Sequence, residues 1–231
     1  MIIQENGIIR PSGPALVIRL WQFKTSKNNL DIDFKKISKE QILMRHTRFY
    51  EGFTKVREEE NAIHADYVVG HSITVHKFDA EKKKLVPSTV FSHGVANLIL
   101  RYDLGLIEAR GTSWVARIGI RKLEEILDVK IPKYEIPQAR IHELLDHAAL
   151  ISTVKIVNTN GSPLQSISLF GNVKESPEWR KVKQNQDENK IEFFRAQLIP
   201  PSGHVLSCMV NSRGGILIYK RGDGIPSTDV Q

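Results

Sequence analysis

The sequence predicts an α+β protein of two subdomains, each an antiparallel sheet covered by one or two helices. Three observations carry this. Short runs of β-branched and aromatic residues follow one another across tight turn signals, as adjacent antiparallel strands do. Four other segments carry helix-start signals or helical apolar spacing. Between them KIPKYEIP, Lys130 to Pro137, holds two prolines that fix their own φ and disfavour helix in the residues before them. The expected subdomains are therefore 1–130 and 131–231, with a loose tail after about 223.

Residues 15–23, ALVIRLWQF, form the first expected strand, after a segment that Pro11, Gly13 and Pro14 keep irregular. A polar connection, 24–36, leads to Ser38-x-x-Gln41. This is a capping-box pattern, in which the serine hydroxyl accepts from an unpaired N–H of the first turn. It predicts a helix to about Val56 that buries Ile42, Leu43, Phe49, Phe53 and Val56. A strand over 66–78 with a bulge at Gly70, a charged turn DAEKKK, and strands over 85–91 and 95–102 follow. Asp103-Leu104-Gly105 turns the chain into LIEAR. Thr112 or Ser113 then caps a helix, SWVARIGIRKLEEIL, with Val115, Ile118, Ile120, Leu123, Ile126 and Leu127 on its apolar face.

The second half opens with a helix from Pro137 that turns Ile141, Leu144, Leu145 and Leu150 inward. Strands ISTVKIV and LQSISLF flank Asn160-Gly161, a hairpin signal. Ser176-Pro177 starts a short helix, SPEWRKVKQ. KIEFFRAQLI, GHVLSCMV and ILIYKR complete an antiparallel set. LIEARG at 106–111 and LIYKRG at 217–222 share Leu-Ile-x-x-Arg-Gly at hairpin ends. Their polar positions differ, Glu108 against Tyr219 and Lys220, so the pair reads as a folding motif used twice.

Chemistry-bearing motifs are sparse. The glycine motifs of P-loop, dinucleotide-binding and α/β-hydrolase sites are absent. His142 and His147 lie five apart, whereas two zinc ligands on one helix face stand four apart. Asp79, Glu81 and Lys83 form a fragment of a metal-dependent nuclease pattern, but in a charged turn rather than a core strand. Cys208 sits mid-strand and reads as a buried thiol; a lone cysteine precludes an internal disulfide and fits a reducing, cytoplasmic setting. No apolar run approaches the roughly 20 residues of a membrane helix, and no signal peptide is read at the N-terminus. No cofactor or metal is expected.

Charge is the stronger signal. A formal net charge of +7 and a pI near 9.4 favour an anionic partner. Basic residues cluster in four places: Arg45, Arg48 and Lys55; Lys82, Lys83 and Lys84; Arg110, Arg117, Arg121 and Lys122; and Arg180, Lys181 and Lys183 beside Trp179. Arg45, Arg48, Arg110, Arg117, Arg121, Trp179, Arg180 and Lys183 are the expected nucleic-acid-binding residues: the cations for phosphate, the indole for base stacking. The expected function is a non-catalytic nucleic-acid-binding or scaffold subunit for DNA or RNA. The alternatives are a protein-assembly subunit or homo-oligomer with Trp114 or Trp179 at an interface, and a divergent metal-dependent nuclease.

Overall fold

The computed structural model describes residues 2–5, 8–11, 13–23, 37, 51–59, 61–158, 166–185, 188–200, 203–219 and 224–226. The chain divides into two compact units, Phe23–Ile131 and Ile2–Gln22 with Pro132–Gln231.

The first unit holds four strands, β4 (Glu51–Glu59), β5 (Ala62–Asp79), β6 (Lys84–Arg101) and β7 (Leu106–Gly111), paired antiparallel in that order. Helix α1 (Ser113–Leu127) buries Val115, Ala116, Gly119, Ile120, Leu123 and Leu127. A Cβ on Gly119 would stand 3.0 Å from the Tyr67 ring and 3.1 Å from Leu98, so glycine sets how closely α1 approaches the sheet. Tyr67 packs edge-on against Phe53 with ring centroids 4.8 Å apart, and its hydroxyl donates to Glu51 Oε1 at 2.7 Å.

In the second unit six strands lie in the order β3 (Ala15–Gln22), β12 (Gly215–Tyr219), β11 (Leu206–Asn211), β10 (Asn189–Leu198), β8 (Leu150–Asn158) and β9 (Ser166–Phe170). All are antiparallel. Helices α2 (Gln138–His147) and α3 (Pro177–Gln184) bury Ile141, Leu145, Trp179 and Val182 in a core with Leu16, Ile156, Phe194, Val210 and Ile218. The Gln138 amide accepts from Ile191 N at 2.8 Å and donates to Ile191 O at 3.1 Å, which latches α2 to β10. Strands β1 (Ile2–Glu5), β2 (Ile8–Pro11) and β13 (Ile225–Pro226) form a small separate sheet. Where the chain leaves this unit and returns, Gln22 N donates to Pro132 O at 2.8 Å and Tyr134 N to Leu20 O at 3.1 Å.

The expected α+β arrangement, two subdomains each an antiparallel sheet under one or two helices, is corrected. Among the described residues 57% are strand and 21% helix, with ten strands in the main antiparallel sheet structure and only three α-helices. One cause is residues 51–59, where a strand replaces the last third of the expected 38–56 helix. Cross-strand pairing buries Phe53 against Tyr67, and that contact outweighs a weak local helix preference. The Ser38 capping box lies outside the described residues, as does the Asn160-Gly161 turn. The two strands expected over 85–91 and 95–102 are one strand, β6, and β5 runs past Gly70 in continuous register with no bulge. The segment before Pro14 contains β1 and β2, and Ile225 of the expected loose tail is buried in β13.

His142 gives one stability prediction. It is buried on α2, and neither ring nitrogen has a hydrogen-bond partner among the described residues. Burial holds its pKa below the ordinary 6.5, helped by Lys183 and opposed by Asp146. The unfolded chain therefore binds more protons as pH falls below 6.5, and native stability drops in that window. Urea unfolding between pH 7.5 and 5 is expected to show this loss, and His142→Phe to flatten it. An equal slope in both proteins excludes His142 as the source.

Candidate nucleic-acid interface

Strands β5 and β6 pair over their whole length, from Ala62↔Arg101 to Asp79↔Lys84. Helix α1 packs over this pair from Tyr67 and Leu98, beneath Gly119, as far as Gly94 and His71. A Cβ on Gly94 would lie 2.5 Å from Val115 and 2.9 Å from the Trp114 ring, so only glycine admits this packing. On the facing strand His71 meets Trp114 edge-on at 5.0 Å. Beyond this point the two strands continue as a ribbon. Nine residue steps lead from Gly70 to Asp79, a reach of about 30 Å at strand rise.

The ribbon carries exposed apolar side chains on both faces. Directly paired residues share a face, so Ile73 with Val90 and Lys77 with Val86 continue the side that α1 covers lower down. Phe78 with Leu85 and Ser72 with Phe91 occupy the other side. Ile73, Phe78, Leu85, Val90 and Phe91 are all exposed.

The tip is basic and locally shaped. Asp79 Oδ1 accepts from Glu81 N at 3.1 Å and Lys82 N at 3.0 Å, and its other oxygen lies 3.4 Å from Lys82 Nζ. Lys83 takes φ 50°, a left-handed conformation that favours glycine. Lys82, Lys83 and Lys84 are exposed.

A second polar group lies on the sheet of the same unit. Glu108 is buried and accepts from Arg110 Nε at 2.5 Å and Arg101 Nε at 3.4 Å. His64 Nε2 lies 3.1 Å from Glu59, which also faces Arg57 at 3.6 Å. Burial lowers the His64 pKa; Glu59 opposes this, while Arg57, Arg110 and Arg101 add to it.

The sequence-predicted residues are dispersed. Arg110 is buried against Glu108. Arg117 and Arg121 are exposed one turn apart on α1. Trp179 is on the buried side of α3, where its ring serves the core, and its backbone N–H donates to Ser176 Oγ at 3.1 Å. Arg180 is exposed, and Lys183 pairs with Asp146 at 2.5 Å. Arg45 and Arg48 lie outside the described residues. His147 is exposed with Nδ1 2.8 Å from Glu143 O, while His142 is buried. Cys208 is buried, and its thiol pKa is pushed up to about 11.

Lys82, Lys83 and Lys84 stand out in the sequence as a basic cluster in a charged turn, but no motif there singles out Phe78 or Leu85. The available signal was the flanking pattern: apolar residues of both parities in SITVHKF and LVPSTVF around one basic turn. No helix among the described residues is long and apolar enough to cross a membrane. No protein-family model matches the chain, and no curated protein matches it.

Proposed function

We propose that this chain is a non-catalytic nucleic-acid-binding subunit that contacts the phosphate backbone through the β5–β6 ribbon. The observation that carries the reading is three consecutive exposed lysines at the tip of a projecting two-stranded arm. A two-stranded ribbon fits a duplex groove, and lysines at its end meet phosphates. The net charge of +7 adds long-range attraction. Arg117 and Arg121, exposed on α1, add positive charge to the same unit. A cytoplasmic location fits the single reduced cysteine.

A second reading, a protein-assembly subunit, draws on the exposed Ile73 and Val90 of the arm. The nuclease reading has less support, because Asp79 is engaged by two backbone amides and Lys82.

The test is binding of the full chain to labelled single- and double-stranded DNA and RNA across a salt series, with and without Mg²⁺. Binding that weakens steeply with salt, without cleavage, is the expected result. Absence of binding at low salt removes nucleic acid as the direct partner, and cleavage moves the protein to the enzymes.

A further inference from the structure

We infer that the arm tip is a wedge for double-stranded DNA, with Phe78 and Leu85 entering between base pairs while the tip lysines hold the flanking phosphates. The inference rests on the nucleic-acid reading above and assigns what the arm does once it is bound.

Phe78 and Leu85 are directly opposed in the ladder, one pair short of the tip. They therefore project side by side from one face. They are also among the most exposed large apolar residues described, at 68% and 62%. Pro87 follows on the same face, paired with His76. Lys77 and Lys84 point to the opposite face, and Lys82 and Lys83 lie in the turn. From residue 77 to 84 four lysines stand against two acids, Asp79 and Glu81. An apolar pair framed by cations matches a duplex: base stacks are apolar, and the phosphates beside them are anionic. Proteins that kink DNA from the minor groove insert phenylalanine, leucine or proline side chains in this way. The Asx turn fixes the loop beside the wedge, so the lysines and the apolar pair are held in one register.

The experiment uses the full chain and a duplex of about 30 base pairs carrying 2-aminopurine, with a donor and an acceptor dye at its ends. Wild-type protein is expected to raise 2-aminopurine fluorescence, as a base unstacks, and to raise energy transfer, as the ends approach. The Phe78→Ala/Leu85→Ala variant changes only exposed side chains. It is expected to bind within about tenfold of wild type, because the phosphate contacts remain, and to lose both signals.

Wild-type binding without unstacking overturns the wedge and leaves the binding function standing. So does a variant that bends and unstacks DNA as well as wild type, or binding confined to single strands. Absence of any nucleic-acid binding overturns the function as well. A concentration-dependent dimer in sedimentation that the double variant abolishes would assign the apolar pair to a second copy of the chain, and would also overturn the wedge.

Discussion

Replacing Lys82, Lys83 and Lys84 by alanine is expected to weaken duplex DNA binding by on the order of 100-fold near physiological salt. The slope of log affinity against log salt should fall by about 3, because each phosphate contact contributes roughly 0.9. The three side chains are exposed, so the fold should survive and circular dichroism should be unchanged. The comparison is a protein with the same charge removed elsewhere, at exposed Lys130, Lys133 and Lys190. That variant lowers long-range attraction equally but leaves the arm intact. If both variants lose the same affinity and the same slope, the protein attracts nucleic acid by net charge and the arm has no special part.

Glu108→Ala is expected to destabilise the first unit by about 3–5 kcal/mol. Glu108 is buried, and it faces two guanidinium groups, Arg110 at 2.5 Å and Arg101 at 3.4 Å. Removing the carboxylate leaves Arg110, itself buried, without its counter-charge. That desolvated cation, rather than a lost attraction between exposed charges, is the source of the large effect. Replacing both partners, Glu108→Leu with Arg110→Met, should recover most of the loss. Urea unfolding measures both. A loss below about 1 kcal/mol in the single variant would show that water reaches Arg110.

Local sequence signals located many elements well. Helix α1 spans the fifteen residues from Ser113 to Leu127 that the apolar spacing marked. Ser176 caps α3 as its Ser-Pro start suggested, accepting from Trp179 N. These depend on neighbours within a few residues. What was not legible depends on distant partners. Residues 51–59 are strand because β5 is available to pair, and nothing within 38–56 announces β5. Gly94 lies in the gap between the strands expected over 85–91 and 95–102, yet it is inside β6, where α1 packs because Trp114 and Val115 lie against it.

The candidate site follows the same rule. The basic turn at 81–84 was plain in the sequence, as was the burial of Cys208. The projection of the arm was hidden. An apolar strand beneath a helix and an apolar strand that runs on beyond it have the same composition; only the extent of α1 distinguishes them. Arg110 shows the reverse case. Its neighbours made it look like a surface cation, but Glu108, two residues away on the same strand face, draws it inward.

The hydrogen bond from Gln22 N to Pro132 O has a topological consequence. The second unit is assembled from the two ends of the chain, and everything from Phe23 to Ile131 is an insertion between neighbouring points of it. During synthesis β3 emerges early, yet its partner β12 begins at residue 215, after the whole insertion has been made. At about 5–20 residues per second, β3 waits ten seconds or more with an unpaired edge. The insertion shortens that search. Once it folds, its own ends are drawn together, and a connection of more than a hundred residues behaves as a short loop for closing the second unit.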